Sequence, residues 1–353
     1  MKISEIDKNF ALAGATDFAC EVYDASDEPF TLYGGFAGSD RKFEKMPTDV
    51  ARAASPGVLW ASGCGAGMRV TFSTDAARIR LSARIKDKCR MNHMAFMGSA
   101  CFTLTEDRDG KSCFIGNFIT SEEEGDNTCR AELALKGGKM RQYCLHFPLY
   151  SGVESLFLAF SAGSRLEKYE KYAGAPRVLY YGSSITQGGC ASRADNSYQQ
   201  LVSEWTGYDY TTLGFSGNAK AEDAVIGYLK DFGCDYFVCD YDWNAPTVEH
   251  LRNTHEKLYR AFRENPAHKD VPVIFLSKPD GRRDPDGEER FSVIRTTYEH
   301  ARAAGDRVYL IDGREMYGED VYEHCAVDGC HPTDLGFYFM AKAVKKALDF
   351  FRR

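Results

Sequence analysis

An all-β sandwich followed by an α/β domain built on a parallel sheet is the architecture this chain predicts, and three observations carry the prediction. From about residue 18 to 162, short runs of alternating polar and apolar residues, among them GMRVTFSTD, ARIRLSARI and SLFLAFSAG, are separated by Gly, Asp and Ser. That is the pattern of half-buried strands joined by turns. Further on, continuous apolar runs alternate with helical periods, which implies right-handed βαβ crossovers and a sheet covered by helices on both faces. Between the two lies SRLEKYEKYAGAP, charged and ending in Gly and Pro, with the composition of a connector. A chain of 353 residues also exceeds the size at which one core usually stops growing. The expected division is a β domain over 1–165, a linker over 166–175 and an α/β domain over 176–353.

In the first half the only helical period is around PTDVARAA. In the second half the strands are RVLYYG, YDYTTLG, DYFVCDY, VPVIFLS and RVYLID. The intervening helices are NSYQQLVSEW, starting near Asn196, AEDAVIGYLKDF, TVEHLRNTHEKLYRAF and RFSVIRTTYEHARAA, with a final amphipathic helix after Pro332. There are no internal repeats or low-complexity tracts.

Composition narrows the function classes. At 44% hydrophobic and 27% charged the chain falls in the ordinary globular range, with no apolar run long enough to cross a bilayer, so no membrane partner is expected. A net charge of −7 with acids and bases interspersed argues against nucleic acid, which needs a concentrated basic face. The opening MKISEIDKNFALAG lacks the unbroken apolar stretch of a secretory signal and predicts a cytoplasmic address. The twelve cysteines are scattered singly and read as buried free thiols. No CxxC occurs, the cluster His324, Cys325, Cys330 and His331 lacks paired zinc spacing, and His250 and His255 are five apart, which reads as exposed polar positions. Neither a metal nor a cofactor is expected.

The chemistry-bearing residues fall in loops at strand ends, where open parallel sheets collect function. The first strand runs into GSSITQGG, placing Ser183 and Ser184 in a tight Gly-flanked turn. Taken alone, such a turn is as well explained by conformational preference. In VDGCHPTD, Asp328 lies three residues before His331. A carboxylate at that offset can accept a hydrogen bond from Nδ1 of His331 and leave Nε2 free to take a proton from a serine. After the second strand, LGFSGNA offers the N–H of Gly217, unobstructed by any Cβ. After the third, DYDWNAP offers the carboxamide of Asn244. With the N–H of Ser184 these would surround an oxyanion. The aromatic residues Tyr180, Tyr181, Trp205 and Trp243 read as core or rim packing before a sugar platform, and SKPDGRRDPDGEER as a solvated loop before a lid.

Ser, Gly, Asn and His in this order, each in a loop after a successive strand or in the last loop, resemble the four blocks of the SGNH, or GDSL-type, hydrolases over roughly residues 175–353. The resemblance implies a flavodoxin-like α/β/α sandwich preceded by a jelly-roll-like β-sandwich. It also implies Ser184 as nucleophile, Asp328 and His331 as the rest of a triad, and Ser184, Gly217 and Asn244 as oxyanion donors. The first block departs from the family in carrying Ser183 where Asp commonly precedes the nucleophile. The strings GSSITQGGCASR, GFSGNA and DYDWNAP are similar to a bacterial esterase branch with an N-terminal β domain, and LYSGVESL and MNHMAFMGSACFTLT correspond to that domain, the latter departing from its GxDLY pattern. The implied activity is hydrolysis of small acyl esters, foremost acetyl, on carbohydrates, with a small-molecule or oligosaccharide ester as partner and homo-oligomerisation left open. The rival readings are an inactive carbohydrate-binding protein and a lipid or thioester acylhydrolase.

Overall fold

The computed structural model describes residues 18–36 and 43–352, so the opening string MKISEIDKNFALAG lies outside the described residues. No described helix is long and apolar enough to cross a membrane, and all twelve cysteines are free.

The first half is a sandwich of two antiparallel sheets. Its elements run β1 (Cys20–Asp24), β2 (Thr31–Tyr33), α1 (Thr48–Ala54), α2 (Pro56–Ser62), β3 (Arg69–Thr74), β4 (Arg78–Ile85), α3 (Phe96–Ala100), β5 (Phe102–Arg108), β6 (Lys111–Phe118), β7 (Thr128–Ala134), β8 (Arg141–His146), β9 (Val153–Ser161) and β10 (Leu166–Glu167). One sheet has the order β1-β9-β4-β7 and the other β10-β3-β8-β5-β6, with β2 also on β3. The period-two pattern sets which face is buried: in β4, Ile79, Leu81, Ala83 and Ile85 point into the core while the arginines between them do not. The segment read as a connector begins as β10, pairing with Ser73 and Thr74, and Thr71 donates to the Tyr169 carbonyl.

Besides α1, which the sequence pattern indicates, the first half contains α2 and α3, which it does not. α2 is two turns long, too short to display a full apolar stripe, and its start is local: Ser55 Oγ accepts the Val58 N–H at 3.1 Å and Pro56 occupies the first turn.

The second half contains β11 (Arg177–Gly182), α4 (Ser184–Gln187), α5 (Tyr198–Thr206), β12 (Asp209–Gly214), α6 (Asp223–Asp231), β13 (Tyr236–Asp240), α7 (Val248–Arg263), β14 (Val273–Leu276), α8 (Gly287–Ala303), β15 (Val308–Ile311) and α9 (Asp334–Phe351). The five strands are parallel in the order β12-β11-β13-β14-β15. This is the flavodoxin-like order, and strand succession reverses at β11, where such sheets bind ligands. Alternate residues feed two cores: Leu179, Tyr181, Phe237, Cys239, Val273 and Phe275 face α6, α7 and α8, while Val178, Tyr180, Val238, Ile274 and Leu276 face α5 and α9. A sheet buried on both faces explains why its strands read as continuous apolar runs.

The two halves share both of these cores, Ala66, Met94, Leu149 and Tyr150 packing beneath α5 and α9. Ala51 of α1 and Val58 and Ala61 of α2 pack into the cluster against α6, α7 and α8. Lys45, fully buried, donates to the Gly214 carbonyl at 3.2 Å, and desolvation pushes its pKa down to about 8. Arg69 of β3 pairs with Asp209 of β12 at 2.6 Å with both side chains buried, and its guanidinium lies 3.8 Å from the Tyr210 ring centroid. Arg69→Ala leaves Asp209 the Arg177 guanidinium at 3.1 Å and the Tyr210 N–H at 2.8 Å. Removing one partner of a buried pair costs about 3 kcal/mol, and denaturant melts of the variant should show a loss of that order.

Candidate active site

β11 ends at Gly182, where a Cβ would stand 2.2 Å from the Asp240 carbonyl oxygen and 2.1 Å from Thr186 Oγ1. Only a glycine lets the chain turn this sharply against β13 and enter α4. Ser183 is buried, and its Oγ accepts the Ile185 N–H at 3.1 Å, capping α4. A hydroxyl therefore fills the place where Asp is common in the resembling family, and a backbone contact is made there. Ser184, the first residue of α4, is 6% exposed. The helix read as starting near Asn196 begins at Tyr198, after a 3₁₀ turn over Ala194–Asn196.

Under this turn lies the carboxyl of Asp240, the first residue of the DYDWNAP string, for which the sequence predicts no role. Asp240 Oδ2 accepts from Thr186 Oγ1 at 2.9 Å and from Tyr198 Oη at 3.0 Å. Burial pushes its pKa up to about 8, against the lowering effect of those two hydrogen bonds. The folded protein therefore favours the protonated acid. Its contribution to stability is complete below about pH 4, the unfolded value, and is lost as pH rises toward about 8. Denaturant melts should show wild type losing stability between about pH 5 and about pH 8, and Asp240→Asn losing less. Equal losses would contradict the assignment.

Gln187 ties three loops together. Its Oε1 accepts the Ser216 N–H at 3.0 Å and its Nε2 donates to the Leu149 carbonyl at 3.3 Å. Gly217 follows Ser216 with φ +68°, in the left-handed region that glycine adopts without strain. Asn244 sits in a 3₁₀ turn over Asp242–Asn244. Asp242 holds that turn through Arg290 Nε at 2.8 Å and the Lys278 N–H at 3.0 Å. Asn244 Oδ1 accepts the Ala219 N–H at 3.2 Å, linking its loop to that of Gly217.

His331 arrives from the loop before α9, and Asp328 fixes it twice. Oδ1 accepts the His331 backbone N–H and Oδ2 meets Nδ1, both at 2.8 Å. Burial raises the Asp328 pKa, but the His331 backbone and ring contacts outweigh it and hold the carboxyl below the usual range. With Nδ1 engaged, Nε2 points at Ser184 Oγ, 2.9 Å away. Three residues from two distant loops thus form one hydrogen-bonded line in which Nε2 can take the hydroxyl proton. The Ser184 N–H, the Gly217 N–H and Asn244 Nδ2 donate to no other group of the described chain.

The β domain reaches this site. Tyr150, in the LYSG string, donates to the Ser184 carbonyl at 3.1 Å, and the His93 ring lies 5.2 Å from that of His331. Both sit in strings singled out in the sequence, but nothing local says which loop they touch.

Other expectations are corrected by the packing. His255 is not an exposed polar position: it is 2% exposed, bonded to Thr297 Oγ1 at 2.9 Å, and burial lowers its pKa to about 4. A single polar histidine on the inner face of α7 leaves no mark in spacing. SKPDGRRDPDGEER is solvated only in part, since Lys278, Asp280 and Gly281 are buried. Tyr180 and Tyr181 are core, whereas Trp243 is half-buried with Lys278 Nζ 4.0 Å from its ring centroid. A surface concavity lined by Trp205, Tyr309, Tyr338 and Lys346 contains none of the predicted site residues.

Residues 175–349 match the GDSL-like lipase/acylhydrolase family, and residues 20–166 match the N-terminus of SGNH-hydrolase-type esterases. The chain belongs to the SGNH, or GDSL-type, hydrolases. It is accordingly an ester hydrolase, with the N-terminal domain of the esterase branch. Among solved structures, a Bacteroides ovatus protein described as a GDSL-like lipase is 27% identical, with a TM-score of 0.83 over 94% of this chain and 98% of that one. The salicylyl-acyltransferase SsfX3 of a tetracycline biosynthetic pathway is 16% identical, with a TM-score of 0.78 over 94% of this chain and 97% of that one. The acetyl xylan esterase Est2A of the rumen bacterium Butyrivibrio proteoclasticus is 12% identical, with a TM-score of 0.60 over 94% and 98%. The last two share the fold. No curated protein matches this SGNH hydrolase.

Proposed function

We propose that this hydrolase removes small acyl groups, foremost acetyl, from carbohydrate esters by two-step acyl transfer. The observation that carries the reading is the line from Ser184 Oγ through His331 to Asp328, with contacts of 2.9 and 2.8 Å, beside three uncommitted donors. Ser184 attacks the ester carbonyl as His331 Nε2 takes its proton, and Asp328 holds the ring and stabilises the imidazolium. The Ser184 and Gly217 N–H groups and Asn244 Nδ2 receive the oxyanion. His331 returns the proton to the departing sugar hydroxyl, and water then releases the acyl group by the same route. The acetyl and carbohydrate preference is supported by the acetyl xylan esterase whose fold this chain shares.

Two experiments test this. A hydrogen bond that strengthens as the carbonyl oxygen gains charge belongs to the transition state, so Asn244→Ala should cost about 10²- to 10³-fold in kcat with KM little changed. A folded variant with near-native kcat would remove Asn244 from the mechanism. Acetate release from acetylated xylo-oligosaccharides, set beside a series of aryl esters of increasing chain length, tests the substrate. A preference for long chains would favour the lipid acylhydrolase reading.

A further inference from the structure

One cluster at this site shares only His331 with the proton relay. His93, Cys190 and His331 each offer a ligand atom, all within 4.8 Å of one another. They come from three separate segments. His93 is on the tip of a turn closed by the Met91 and Met94 bridge, Cys190 follows α4, and His331 precedes α9. Since Nδ1 of His331 is held by Asp328 at 2.8 Å, the nitrogen it offers is Nε2.

Two features build the arrangement into the fold. Met94 is buried in the core beneath α5 and α9, and a Cβ on Gly98 would stand 2.1 Å from the Ala191 carbonyl oxygen, so the His93 segment is seated tightly against the Cys190 loop. Cys190 itself takes φ +73°, a left-handed conformation that is strained for a residue with a β-carbon. That strained backbone places its thiol in the cluster.

We propose that His93, Cys190 and His331 bind a thiophilic divalent transition metal, zinc being the representative ion, and that the bound ion silences the esterase. Imidazole and thiolate are the ligands zinc prefers, and three protein ligands leave a fourth position for water. Tetrahedral zinc with bonds of about 2.0 to 2.3 Å needs ligand atoms about 3.3 to 3.8 Å apart. Exposed His93 supplies the small closing movement. Binding exchanges the Cys190 thiol proton for the ion and occupies the Nε2 lone pair, so His331 can no longer accept the Ser184 proton. The effect on activity rests on His331 being the base, whereas the binding does not.

The test is a zinc titration of the purified full-length chain against a chromogenic chelator, run in parallel with aryl acetate hydrolysis. One equivalent of zinc should bind, activity should fall with occupancy, and EDTA should restore it. His93→Ala should bind zinc at least about tenfold more weakly and need correspondingly more zinc for inhibition, since even groups behind the ligands cost about 10- to 100-fold in metal affinity. With cobalt(II) in place of zinc, a thiolate-to-metal charge-transfer band should appear in wild type and in Ser184→Ala and vanish in Cys190→Ser. Retention of the band in Ser184→Ala separates the metal site from the fate of the esterase mechanism. No binding by wild type, or equal affinity in His93→Ala with the cobalt band unchanged in Cys190→Ser, would overturn the proposal.

Discussion

Ser184→Ala is expected to lower kcat/KM for ester hydrolysis by about 10⁴- to 10⁶-fold, the range seen when a serine nucleophile acting as part of a unit is removed. The variant should remain folded, because the Ser184 hydroxyl makes one side-chain contact, to His331 at 2.9 Å, while the backbone that shapes the turn is untouched. The three donors persist, so residual catalysis above the uncatalysed rate is expected. Ser183→Ala is the informative control. Its hydroxyl caps α4 by accepting the Ile185 N–H, so its loss should cost about 1 kcal/mol of stability and leave the reaction of the folded enzyme in place. The two neighbouring serines are thereby assigned opposite phenotypes.

His331→Ala should cost about as much as Ser184→Ala, and the double variant little more than either, because nucleophile and base act in one step of the proposed reaction. Asp328→Ala should be milder by about 10- to 100-fold, since an unoriented imidazole still accepts protons. Asp328 also has a structural role. Its Oδ1 holds the His331 backbone N–H at 2.8 Å, so its removal loosens the loop as well as the ring. Stability measured beside kcat apportions the two. Full additivity of the Ser184 and His331 effects would contradict their action as a unit.

The α/β half of the fold was legible because its chemistry is local. Strands such as VPVIFLS announce a sheet covered on both faces, and each site residue lies in the loop directly after a strand or before the last helix. Asp328 and His331 are three residues apart, so their contact could be argued from spacing alone. What could not be read depends on distant segments. Tyr150 and Ser184 are 34 residues apart, and His93 comes from the other domain. The buried state of His255 follows from the packing of Tyr241 and Phe275 against it, which no helical period encodes. α2 is illegible for a different reason: it is too short for an apolar stripe, although Ser55 and Pro56 mark its start.

The most direct test of the mechanism is the site of covalent capture. A fluorophosphonate reacts with a serine only where a base activates the hydroxyl and donors stabilise the charge that develops, which is the joint role of His331 and the loops of Gly217 and Asn244 in the proposed reaction. Peptide mapping by mass spectrometry after labelling should place a single adduct on Ser184, with labelling abolished in His331→Ala. An adduct on Ser183, in a protein whose Ser184→Ala variant still hydrolyses esters, would contradict the mechanism.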